Sequence, residues 1–60
     1  MLAADIQTHA RKLYETFGPK ALAQAAQKAR TYETEGKRGD ADIWRRIEAA
    51  LRQMQGPHVS

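Results

Sequence analysis

Sixty residues with no cysteine and a formal charge of +3 exclude more than they specify. The length admits one domain, and a chain this short buries only about 60% of the surface its unfolded form exposes. Without cysteine, neither disulfides nor thiolate metal sites reinforce it, so stability falls to close helix packing or to self-association.

Ten Lys and Arg against seven Asp and Glu make a mild basic balance, for which a nucleic-acid partner is only one explanation. The start, Met1 to Ile6, lacks a basic stretch followed by an apolar one, so no signal peptide is expected. The longest uncharged run in the body of the chain, Ala21 to Gln27, is far short of the roughly 20 residues that span a bilayer. A soluble cytoplasmic protein is the expectation.

Leu2, Ile6, Ala10, Leu13 and Phe17 recur at helical spacing, with Tyr14 beside them and Thr8, Arg11, Lys12 and Glu15 on the other side. That period predicts a first helix over 2–17. His9 lies on the edge of the stripe and is expected to be a boundary residue touching solvent. Gly18-Pro19 then interrupts, with glycine suited to a left-handed C′ position and proline to the first turn of a new helix. A sharp corner or one kinked rod both satisfy that dipeptide.

A second helix is predicted over 19–35. Its inward face is Ala21, Leu22, Ala25, Ala26, Ala29 and Tyr32, and its outward face carries Lys20, Gln24, Gln27, Thr31 and Thr34. Alanine favours helix intrinsically, and a stripe of alanines offers little area but close backbone approach. Gly36-Lys37-Arg38-Gly39 reads as a loop, and Asp40 as the N-cap of a third helix over 40–55 with Asp42 in its first turn. Ile43, Trp44, Ile47, Leu51 and Met54 share one arc of that helix, with Ala50 on the flank and Arg45, Arg46 and Arg52 outside it. Gly56-Pro57 is a stop signal, which gives a single domain over 1–56 and a flexible tail over 57–60.

The predicted fold class is all-α, three short helices in a small antiparallel bundle. Tyr14, Phe17 and Trp44 are expected to face inward as the main packing cluster. The middle helix supplies only Leu22 and Tyr32 as large inward residues, so the outer helices have apolar surface to spare. A homodimer that buries Trp44, Phe17 or Met54 is therefore expected.

Catalysis has little to work with. The only serine is Ser60, Asp5 and His9 form one lone i, i+4 pair, and Glu33/Glu35 and Asp40/Asp42 sit two apart, off a shared helical face. The glycines at 36 and 39 lack the preceding strand that a phosphate loop requires. No enzyme, cofactor or metal is expected. A helix-turn-helix also fails. With Gly36 as its turn residue the buried positions become Tyr32 and Asp42, and with Gly18 they become Tyr14 and Gln24. Lys37, Arg38, Arg45, Arg46 and Arg52 form a candidate basic face, but Asp40, Asp42 and Glu48 among them weaken attraction to phosphates. A membrane-surface helix is not expected either, because the caps and partner helices turn the apolar stripe into core.

The favoured function is a non-enzymatic interaction module that binds itself or a partner protein through Phe17, Trp44, Ile47, Leu51 and Met54. The alternative is a small nucleic-acid-associated regulator using the basic face.

The pattern Leu13-Tyr14, Gly18, Ala21, Ala25, Ala29, Gly39-Asp40, Trp44-Arg45-Arg46-Ile47 and Ala50-Leu51 resembles a group of short bacterial all-helical proteins of unknown function. In that group an Ala-rich helix leads through a Gly-Asp turn into a Trp-x-x-Ile-x-x-Ala-Leu helix. The resemblance spans residues 13–54, implies the helical fold and brings no known activity with it, which leaves function open. The basic pair Lys37-Arg38 departs from the pattern.

Overall fold

An apolar stripe on each of three short helices needs cover, and the chain supplies it by turning back twice. A computed structural model describes the backbone of residues 3–55 and the side chains of residues 5–55. Leu2 and the tail over 57–60 lie outside the described residues. Three helices form: α1 (Ala3–Phe17), α2 (Lys20–Thr34) and α3 (Arg38–Gln55). They pack against one another as a small all-α bundle, most extensively between α2 and α3.

The first turn is a corner. Gly18 adopts φ 62°, a left-handed conformation open to glycine at no steric cost, and its N–H donates to the Tyr14 carbonyl at 2.7 Å. A single rod through residues 3–34 would be about 48 Å long at 1.5 Å per residue, beyond the 38 Å of the longest axis. Pro19 was expected to open α2 as its first helical residue. It stands one position earlier, at the N-cap with φ −59°, because the corner is closed by Ala21 N–H donating to the Gly18 carbonyl at 2.9 Å.

The second turn is tighter than the sequence suggested. Gly36, at φ 79°, is the C′ residue of a Schellman closure. Its N–H donates to the Glu33 carbonyl at 3.1 Å, and Lys37 N–H donates to the Tyr32 carbonyl at 2.8 Å. Lys37 then starts the next helix at once, its carbonyl accepting from Ala41 N–H at 2.9 Å. So α3 begins at Arg38 rather than Asp40. Asp40 is not the N-cap but a first-turn acid, where it still meets the positive end of the helix dipole.

Three contacts set α2 and α3 antiparallel. Gln55 Nε2 donates to the Pro19 carbonyl at 2.9 Å, Lys28 Nζ lies 5.9 Å from the Trp44 ring centre, and Arg45 pairs with Glu33. Pro19, at the start of α2, meets the end of α3, whereas Lys28 and Glu33, farther along α2, meet residues in the first half of α3.

Alanine makes this possible. Among the described residues the buried apolar ones are Ile6, Ala10, Ala21, Ala25, Ala29, Ala41, Ile47, Ala50 and Leu51, and of these only Ile47 and Leu51 are large side chains fully enclosed. Leu13, Leu22, Ile43, Trp44 and Met54 pack at the margins of this core. Ala21, Ala25 and Ala29 have no exposed surface, so α2 meets its neighbours along a methyl-thin seam.

The expected aromatic cluster is not the core. Tyr14 and Phe17 are 36% and 42% exposed, and Trp44 is half-buried. At roughly 100° per residue Phe17 points between Ile6 and Ala10, both buried, but it lies in the last turn of α1 at the corner, past the part of the stripe that its neighbours cover.

Two consequences are measurable. Ala25→Leu forces an isobutyl group into the seam and is expected to lower stability by about 1–3 kcal/mol, read from urea denaturation. Gly36→Ala keeps open space around its methyl group, so it should lose only the conformational cost of a left-handed alanine, about 1 kcal/mol on the same assay.

Candidate functional site

Of the five residues proposed for an apolar interface, the fold closes two away. Ile47 and Leu51 have no exposed surface, because they occupy the middle of the α3 stripe where α1 and α2 both reach. They hold the bundle together and leave the candidate surface. Trp44 is half-buried between the other two helices. Its ring meets the His9 ring of α1 edge to face, with centroids 5.3 Å apart at 74°, and takes the Lys28 ammonium of α2 on its other contact. Most of its surface is thus spent inside the chain.

Phe17 and Met54 remain. Met54 is half-buried and adjoins Gln55, whose amide is fixed to Pro19 two residues after Phe17. These two therefore lie toward the same end of the bundle, and Tyr14 stands three residues before Phe17 on the same side of α1. Sequence reasoning placed Tyr14 in the core and missed it as a surface residue. Its position at the rim of the α1 stripe was the available signal.

The five basic candidates divide differently. Arg45 is the centre of an ion-pair chain. Its Nε and Nη2 donate to both carboxylate oxygens of Glu33 at 3.0 and 2.9 Å, and its Nη1 donates to Glu48 Oε1 at 2.9 Å. Glu48, whose side chain is 13% exposed, accepts from Arg52 Nη2 on its second oxygen at 3.0 Å. Arg46 pairs with Asp42 at 3.0 Å one turn away. Lys37 pairs with Glu35 at 3.3 Å and also stands 5.8 Å from the Tyr32 ring centre. Arg38 alone of the five has no ion pair among the described residues. Four of the cations expected to face a polyanion are already faced by carboxylates.

The bidentate geometry leaves an electrostatic mark. The Glu33 carboxyl sits below its ordinary value, first through the hydrogen bond from Arg45 and then through the charges of Arg45 and Arg30, with desolvation opposing. The Arg45 guanidinium is pushed up, first by its bond to Glu33 and then by that to Glu48.

Asp5 and His9 line one shallow groove of about 390 Å³ with Lys12 and Leu13, without a hydrogen bond between them. Among the described residues no group of three His, Asp or Glu is placed to hold a metal ion, and no helix is long and apolar enough to cross a membrane.

No protein-family model matches this chain, and neither a curated protein nor a solved structure matches it.

The Glu33–Arg45 pair ties α2 to α3, and its pH dependence follows from the sign of the shift. A carboxyl lowered on folding contributes fully above its unfolded value and loses that contribution as pH falls through the lower folded one. The urea midpoint of Glu33→Gln should therefore lie below that of the unsubstituted chain at neutral pH. The gap should close as pH drops below the ordinary carboxylate range, and 1 M NaCl should narrow it at every pH.

Proposed function

We propose that this chain is a non-enzymatic interaction module, which engages a second copy or a partner protein at the corner between α1 and α2. One observation carries the reading. Phe17 points along the buried stripe of its helix yet keeps 42% of its surface in water, with Tyr14 beside it at 36%. A fold with so few large side chains leaves two of its four aromatic residues outside, where aromatic anchors dominate binding energy. Met54, toward the same end, extends the surface. Trp44 acts as internal support between α1 and α2.

A nucleic-acid-associated regulator has less support. The face that would carry it, Lys37, Arg38, Arg45, Arg46 and Arg52, is threaded with Glu33, Glu35, Asp42 and Glu48 in ion pairs. Phosphates would have to displace those carboxylates. A cytoplasmic setting belongs to the same proposal and rests on composition.

Native mass spectrometry of the untagged protein, isolated gently from its own cells, tests the reading. A multiple of the chain mass, or added polypeptide mass, is expected. Phe17→Ala should weaken that assembly by about 2 kcal/mol with helix content intact, since the side chain lies outside the core. A bare monomer, or assembly indifferent to Phe17→Ala, would contradict it.

A further inference from the structure

Among the described residues, cations without an ion pair stand beside the exposed aromatics as well as at Lys28, Arg30 and Arg38. On α2 and α3 the carboxylates of Glu33, Glu35, Asp42 and Glu48 are consumed in ion pairs with neighbouring cations. At the α1–α2 corner the balance is open. Arg11 stands one turn before Tyr14, and Lys20 opens α2 three residues after Phe17. Both are exposed, and neither has an ion pair among the described residues. Glu15 is the carboxylate nearest in sequence, so one cation is left over. Part of the net +3 is thus gathered at the aromatic patch.

Accepting the interaction reading above, we infer that the Tyr14–Phe17 surface, flanked by Arg11 and Lys20, docks an acidic amphipathic helix of a different protein rather than a second copy of this chain. Two features choose the occupant. A two-fold dimer would set this patch against itself, bringing the same surplus of positive charge to both sides of one small interface. Area points the same way. A standard interface takes about 800 Å² from each partner, close to a fifth of this chain's 4404 Å², whereas two aromatic side chains, more than half covered already, and the half-buried Met54 form the apolar centre here. A small apolar centre with unmatched cations at its rim suits a short partner element with an apolar stripe and carboxylates beside it.

The test uses the full chain, ¹⁵N-labelled, titrated with three probes and followed by NMR. They are an amphipathic peptide of leucine and glutamate, the same peptide with lysine for glutamate, and a single-stranded oligothymidylate. Expected is binding of the Leu/Glu peptide with shifts centred on Tyr14 and Phe17, at least about tenfold tighter than the Leu/Lys peptide. Phe17→Ala should abolish that binding, and Arg11→Glu with Lys20→Glu should weaken it by about tenfold, the scale of two exposed ion pairs. Equal binding of both peptides would overturn the acidic partner while leaving an apolar docking surface in place. Shifts at Phe17 on simple dilution would assign the patch to a second copy. Binding of the oligothymidylate there in preference to the peptide would assign it to nucleic acid. No shift at Tyr14 or Phe17 with the Leu/Glu peptide up to its solubility would overturn the proposal outright.

Discussion

The close approach of α2 to its neighbours along Ala21, Ala25 and Ala29 is the constraint on which the rest depends. A methyl-lined face lets the backbones come near enough for Ile47 and Leu51 to be enclosed from several sides, and that enclosure is what a chain of this length has in place of a large core. The two glycine turns serve the same end. Gly18 and Gly36 reverse the chain within a few residues, so no length is lost to loops. Gln55 on Pro19 and Arg45 on Glu33 then hold the α2–α3 pair toward both ends.

The thin core also explains what stays outside. Helices packed through alanine leave little volume between them, so the aromatic side chains cannot all enter. Trp44 is accommodated at the margin, where the His9 ring and the Lys28 ammonium cover it. Tyr14 and Phe17 reach the end of α1 after the shared core has run out. The same economy that makes the bundle compact creates the aromatic surface on which the functional proposal rests. Meanwhile Arg45 ties α3 to α2 through Glu33, Arg46 and Arg52 pair within α3, and Arg11 and Lys20 stand without an ion pair among the described residues.

Helical periodicity and the glycines made the three helices legible, and the alanine stripe of α2 was readable as a close-packing face. Position along a helix was not. A helical wheel gives a bearing and no depth, so Phe17 looked as internal as Ile6, although one lies in the last turn and the other under α3. Ala41 escaped notice for a related reason. It was not among the expected inward residues, and it is buried because α3 starts at Arg38, two residues sooner than Asp40 implied. The ion-pair chain from Glu33 through Arg45 and Glu48 to Arg52 was only half visible. Spacing on one helix predicts Glu48 with Arg52, but the partner on α2 depends on the antiparallel register that the turn at Gly36 sets.

Amide hydrogen exchange on the isolated chain tests most directly whether the alanine seam between α2 and α3 is the stable centre. The slowest amides are expected at Ala25, Ala29, Ile47 and Leu51, with the amides of α1 opening at lower free energy because that helix makes less of the packing. Slowest exchange in α1, or uniformly fast exchange across α2 and α3, would contradict it.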